Sequence, residues 1–214
     1  IPDFRNSVQQ CIELGASQVS LYDLEVHEET PFGRLEKEKK LDLPGEDDHA
    51  RMYESAIEML TRAGYEHYEI SNFARPGLAS RHNLLYWHNQ EYLGLGPGAF
   101  TYLNGVRSQF ASDLMRYLEK CEALDWENDT ADALSEEDKE KETLVTGLRL
   151  SEGIAPHSFP RIYPELKDRF EALGVEGLVE RSGENLRLTV RGKFLSEDVF
   201  SFLLQKGSEL TSAS

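Results

Sequence analysis

The chain has 214 residues, 39% of them hydrophobic and 10% aromatic, enough for one large core or two modest ones and too apolar for wholesale disorder. Its 39 acidic residues against 23 basic ones leave a formal charge of −16, a surface that repels phosphate backbones and argues against a nucleic-acid partner. No run of about 18 apolar residues is available to span a bilayer.

Residues 4–14 place Phe4, Val8, Cys11 and Ile12 at helical spacing, with Gly15 as the stop. Gln18 to Val26 then alternates apolar and polar positions, as a half-buried strand does. Residues 27–45 read as loop and short helix, punctuated by Thr30-Pro31, Gly33 and Pro44-Gly45. Ala50, Tyr53, Ile57 and Leu60 form the apolar stripe of a longer helix closed by Gly64, and a strand is predicted over Tyr68–Phe73. Helix, strand, helix, strand with short connections predicts a parallel α/β arrangement. Two such units are too few to close a barrel. Further strands are therefore expected N-terminal to Ile1, in keeping with a chain that opens on Ile1-Pro2 rather than on Met and shows no charged-then-apolar leader.

After Arg75-Pro76-Gly77 the pattern changes to a dense aromatic and polar stretch from His82 to Tyr102. Asn104-Gly105 between Tyr102 and Val106 signals a hairpin, and a helix follows near 112–124. The acidic run from Glu127 to Glu142 reads as a solvated linker and helix start. Beyond it, helices near 136–148 and 163–173 precede a hairpin around Ser182-Gly183-Glu184-Asn185. A final amphipathic helix uses Phe194, Leu195, Val199, Phe202 and Leu203. This predicts a small winged-helix-like α+β domain, with Arg181, Arg187, Arg191 and Lys193 dressing a solvated hairpin. The expected layout is an α/β part over 1–126, a linker over 127–134 and the winged domain over 135–214.

Two segments carry candidate chemistry. In Arg81-His82-Asn83-Leu84-Leu85-Tyr86-Trp87, a helix would stack His82 with Tyr86 and Asn83 with Trp87 at i, i+4. A neutral imidazole offers a lone pair to iron, and a Tyr or Trp face beside it suits a flat porphyrin. The same residues also suit a helix start whose His and Asn satisfy backbone groups while Tyr and Trp fill core, and both readings stand at this point. Downstream, Gly94-Leu95-Gly96-Pro97-Gly98-Ala99 lets the backbone approach a ligand closely or take positive φ, without the strand-turn-helix context of a dinucleotide fingerprint. Cys11 and Cys121 are too far apart in sequence to suggest a cluster or a disulfide framework, and they suit a reducing cytoplasm or an organelle stroma or matrix.

Several segments occur in order at family spacing: Ser20-Leu21-Tyr22-Asp23-Leu24, Glu29-Thr30-Pro31-Phe32, Gly64-Tyr65-Glu66-His67-Tyr68-Glu69-Ile70-Ser71-Asn72-Phe73-Ala74-Arg75-Pro76-Gly77, His82-Asn83-Leu84-Leu85-Tyr86-Trp87, Gly94 to Ala99, and Leu188-Thr189-Val190-Arg191-Gly192-Lys193. Through them the chain resembles the C-terminal portion of HemW-type haem chaperones, radical-SAM proteins related to the oxygen-independent coproporphyrinogen III oxidase HemN. The resemblance implies the back of a partial (β/α) radical-SAM barrel followed by the winged domain. It also implies haem binding through His82, with Asn83, Tyr86 and Trp87 around the porphyrin, and His82 as the iron ligand. Glu25 and Phe100 match positions that border S-adenosylmethionine in the related oxidase, although HemW-type proteins usually have His where Phe100 stands. Recipient apo-haemoproteins and a peripheral membrane association are implied as partners. The family's CxxxCxxC motif for a [4Fe–4S] cluster is absent from this chain, so cofactor and cluster are expected only in a full-length protein. The alternative implied activity is that of a truncated porphyrinogen oxidase-like enzyme.

Overall fold

The computed structural model describes residues 1–127 and 129–205, so position 128 of the expected linker and the end of the expected winged domain, 206–214, lie outside the described residues. The chain divides into two compact units, Ile1–Ser80 and Arg81–Ser214.

The first unit runs α1 (Pro2–Glu13), β1 (Gln18–Ser20), α2 (Pro31–Lys37), α3 (Glu46–Arg62), β2 (Glu66–Glu69) and β3 (Asn72–Ala74). Pro2 opens α1, where its missing N–H is no loss, and Thr30 caps α2 by accepting from Gly33 N at 3.1 Å. The apolar stripes of α1 and α3 meet around Val8, Ala56 and Leu60, closed by Val19 and Phe73 from the strands and by Tyr65 just before β2.

Here the sheet departs from the predicted arrangement. Its order is β1-β3-β2 and both pairings are antiparallel, so β1 and β2 run in the same direction but are separated by β3. The predicted Tyr68–Phe73 strand is in fact a hairpin corner. The cause is Glu69, fully buried, whose Oε1 accepts from Ser71 N at 2.8 Å and from the Asn72 side chain. A carboxylate oxygen that accepts from the second and third residues after it folds the chain back. The predicted first strand also ends early, at Ser20. Beyond it Tyr22 and Leu24 are exposed, and their alternation has no paired strand among the described residues.

The second unit comprises α4 (Arg81–Trp87), β4 (Phe100–Leu103), β5 (Val106–Gln109), α5 (Leu114–Glu122), β6 (Thr130–Ala133), α6 (Glu136–Arg149), α7 (Tyr163–Val175), β7 (Val179–Ser182), β8 (Asn185–Leu188), α8 (Val190–Phe194) and α9 (Ser196–Leu204). Asn104 and Gly105 take φ of 53° and 74° between β4 and β5, the left-handed pair of a type I′ turn that matches strand twist. The stretch read as linker holds β6, which pairs with β5. All four of its side chains are exposed, so no buried face marks it in the sequence. Ser135 caps α6 by accepting from Asp138 N at 3.1 Å, and the acidic first turn complements the helix dipole.

The winged part packs around Leu144, Leu148, Phe159, Phe170 and Leu203. Its hairpin, β7–β8, is tied to the α6–α7 connection by reciprocal Ile154–Leu186 backbone bonds of 2.9 Å. The predicted final helix is broken into α8 and α9 at Leu195. Lys193 is not a solvated cation: it is buried, and its Nζ donates to Ser151 Oγ at 2.5 Å. Its neighbour Gly192 lies against the Leu178 carbonyl, which leaves no room for a Cβ. The remaining wing cations are engaged within the chain, Arg187 with Glu180 at 2.7 Å, Arg181 with the Tyr163 hydroxyl, and Arg191 with the Glu176 carbonyl.

Two glycine substitutions should therefore act in opposite directions. A Cβ at Gly192 would lie 1.9 Å from a backbone oxygen, whereas one at Gly174, within α7, would meet nothing closer than 3.8 Å. Gly192→Ala is expected to destabilise by about 1–3 kcal/mol, and Gly174→Ala to stabilise by roughly 0.5–1 kcal/mol. Urea midpoints at unchanged m-value report both.

Candidate functional site

Helix α4 carries the first candidate segment. It ends in a Schellman motif: Gln90 N donates to Leu85 O and Asn89 N to Tyr86 O, both at 2.9 Å, while Asn89 takes φ of 48°. Asn is among the few non-glycine residues that tolerate this conformation. The Asn89 amide also donates to Thr143 Oγ1 of α6 at 3.0 Å.

The predicted i, i+4 stacking is present. The His82 and Tyr86 rings lie 4.9 Å apart at 84°, edge to face. Tyr86 in turn meets Tyr92 at 4.7 Å and 66°. Tyr92 is bolted to β4 by two backbone bonds with Tyr102, each 2.9 Å, and its ring lies 6.4 Å from that of Tyr102. The Arg107 guanidinium lies 5.6 Å from the Tyr102 ring and pairs in bidentate fashion with Glu142 at 2.5 and 2.9 Å. Burial alone would lower the Arg107 pKa, but the Glu142 hydrogen bonds and charge, helped by the Tyr92 hydroxyl, raise it above the ordinary arginine value. An aromatic file thus runs from exposed His82 down to an ion pair on α6.

Trp87 occupies the adjoining stripe of α4. The Arg149 guanidinium covers its ring at 4.5 Å. The indole Nε1 is buried without a hydrogen-bond partner among the described residues. Asn83 is half-buried one turn earlier on that stripe. His82, Asn83, Tyr86 and Trp87 are therefore together on one short helix, with His82 outermost.

The glycine segment uses both freedoms expected of it. A Cβ on Gly94 would lie 2.1 Å from the Phe100 carbonyl, and Gly96 and Gly98 take φ of 113° and 71°. Phe100 opens β4 and is half-exposed. Glu25 belongs to the other unit, on an exposed loop, with His27 Nε2 at 3.9 Å. Cys11 and Cys121 are free and also belong to different units. Among the described residues, no group of three or more His, Cys, Asp or Glu side chains is placed to hold a metal ion, and no helix is long and apolar enough to cross a membrane.

Sequence reasoning missed Tyr92, Arg149 and the Arg107–Glu142 pair. Only Tyr92 lay inside a stretch already marked as aromatic; the other partners come from remote parts of the chain.

Asn89→Ala is expected to lower stability by about 1–2 kcal/mol, because Ala lacks the short polar side chain that lets Asn tolerate a left-handed backbone and also loses the Thr143 bond. Asn89→Gly should recover the backbone part and lose only the Thr143 bond, and urea unfolding followed by circular dichroism separates the two.

No family model matches the chain. Curated proteins do. It is 34% identical to "Heme chaperone HemW" of Lactococcus lactis subsp. lactis (strain IL1403) over 94% of this chain and 54% of that protein. It is 33% identical to the Bacillus subtilis (strain 168) protein of the same name over 93% and 54%. A "Radical S-adenosyl methionine domain-containing protein 1, mitochondrial" from Danio rerio is 28% identical over 76% of this chain and 38% of its own length. Among solved structures, the fold matches the Escherichia coli coproporphyrinogen III oxidase HemN, described as a radical SAM enzyme. That match has a TM-score of 0.69 and 18% identity, covering 94% of this chain and 50% of that one. The chain spans about half the length of the curated bacterial relatives it matches. Along nearly all of its residues the chain is thus similar in sequence to the HemW-type haem chaperones, and its mixed α/β fold matches about half of the HemN radical-SAM chain.

Proposed function

We propose that this chain captures haem through His82 and passes it to apo-haemoproteins. The observation that carries the reading is an exposed imidazole at the start of α4, its ring braced edge-on by Tyr86, inside the HNxxYW motif. A lone histidine is a poor site for a bare metal ion. Haem iron brings four ring nitrogens of its own and asks the protein for only an axial ligand. Ligation would use the lone pair of neutral His82. Tyr86 and Trp87 would offer aromatic surface to the porphyrin, and Asn83 a polar group beside it.

The two cysteines do not fit a [4Fe–4S] cluster, which needs closely spaced thiolates. In this reading the chain performs no reductive cleavage of S-adenosylmethionine by itself. Glu25 and Phe100 would border that cofactor only in a protein that supplies the cluster. The oxidase-like alternative rests on likeness of fold, whereas the haem reading rests on named side chains. A cytoplasmic location and peripheral association with membranes belong to the same proposal.

The test is a titration of the chain with ferric haem, read by Soret absorbance, with His82→Ala alongside. Saturable binding with a histidine-ligated spectrum is expected for the wild type. His82→Ala should lose it, with an unchanged far-ultraviolet circular dichroism spectrum. An identical Soret response in the variant would remove His82 from the role.

A further inference from the structure

We infer that Arg149 is a positioning residue for haem capture: by clamping Trp87 onto α6 it fixes the direction in which α4 presents His82. The inference rests on the haem reading above and goes beyond it, because Arg149 lies outside the motif.

The argument starts from what α4 cannot do alone. It has seven residues and none of its side chains is fully buried. Isolated helices shorter than about 12–15 residues are marginal in water. The direction of His82 must therefore come from tertiary contacts. On its own stripe, His82 has Tyr86 and, behind it, Tyr92. Trp87 follows His82 by five positions, about 140° further round at 3.6 residues per turn. A contact there controls rotation of the helix about its axis, which the Tyr86 contact alone does not.

Arg149 is well mounted for that task. It is the last residue of α6, between Leu148 at 0% and Leu150 at 3% exposure, so its backbone is fixed by the core. A cation there is also favoured by the helix C-terminus. Its planar guanidinium lies 4.5 Å from the centroid of the Trp87 ring, an arrangement that Arg supports better than Lys. Since the indole Nε1 has no hydrogen-bond partner among the described residues, stacking and packing hold the ring. The Asn89–Thr143 bond adds a second tie from α6 to the far end of α4. The core leucines that hold α6 do not depend on Arg149, so loosening the clamp should turn α4 without unfolding the unit.

The experiment uses the full chain, titrated with ferric haem and with ferric haem dimethyl ester, comparing wild type, Arg149→Gln, Arg149→Lys and His82→Ala. Arg149→Gln should raise Kd about fivefold for both probes, the scale of a lost cation–π contact. It should also move part of the histidine-ligated spectrum to the unligated high-spin form. Arg149→Lys, which keeps a cation over the ring, should recover most of the affinity and melt like the wild type. A wild-type Kd and spectrum in Arg149→Gln would overturn the inference. So would a loss confined to haem with free propionates, which would make Arg149 a propionate contact. If Arg149→Gln itself melts early, Arg149→Lys decides: native melting with no recovery of affinity overturns the clamp. Absence of binding by the wild type would instead defeat the haem reading, and the clamp with it. Binding lost in His82→Ala but untouched in Arg149→Gln would defeat the clamp alone.

Discussion

Burial of Leu144 and Leu148 fixes α6 as the axle of the second unit, and its other positions reach three neighbours. Glu142 holds the β4–β5–β6 sheet through Arg107. Thr143 and Arg149 hold the C-terminal end of α4 through Asn89 and Trp87. Gly147 admits Ile154, whose backbone carries the wing; an added Cβ there would lie 2.7 Å from the Ile154 side chain. One helix thus joins three subassemblies. The short helix that bears His82 takes its place from this axle and from the sheet that carries Tyr92.

The parts of this architecture that were legible in the sequence are those set by local chemistry. Asn104-Gly105 dictates its turn because few residues accept consecutive left-handed φ values. The stripes of α1 and α3 face the core because their apolar spacing is 3.6. His82 and Tyr86 meet because i and i+4 meet on any helix. What the sequence concealed was decided by partners distant along the chain or by an unusual local bond. Glu69 lies in a run predicted as one continuous strand, yet its carboxylate is buried and makes a corner. Thr130–Ala133 pairs through its backbone and buries nothing, so it had no periodicity to show. Arg149 and Trp87 are joined by a fold, not by a spacing.

The chain's charge is also less uniform than its net value suggests. Much of the acid in the run before and within α6 is neutralised locally, Glu136 by Lys139, Glu137 by Lys141, Glu140 by Arg161 and Glu142 by Arg107. The first two pairs are exposed or nearly so and add little stability, but they reduce the field that the run projects. Helix α4 itself contains no carboxylate and begins with Arg81 and His82. An anionic porphyrin approaching that helix would meet a local potential unlike the chain's average, and the range of the remainder is limited to about 8 Å by salt at physiological strength.

An exposed ligand also suits delivery better than storage. A buried haem site gains affinity from enclosing the ring on both faces, and that enclosure slows release, where most differences in affinity between related complexes arise. Here the aromatic support of His82 comes from its own helix and from Tyr92, leaving the imidazole at the surface. In the proposed reading, such a site would bind haem through one strong bond and a modest contact area. A recipient that offers its own axial ligand and an apolar pocket then has the larger surface to bury, and the free energy of transfer runs toward it. What the donor must supply is direction, so that the iron is presented rather than merely held. In the proposed reading that requirement would fall on the contacts that aim a seven-residue helix, and so on the α6 side chains Thr143 and Arg149.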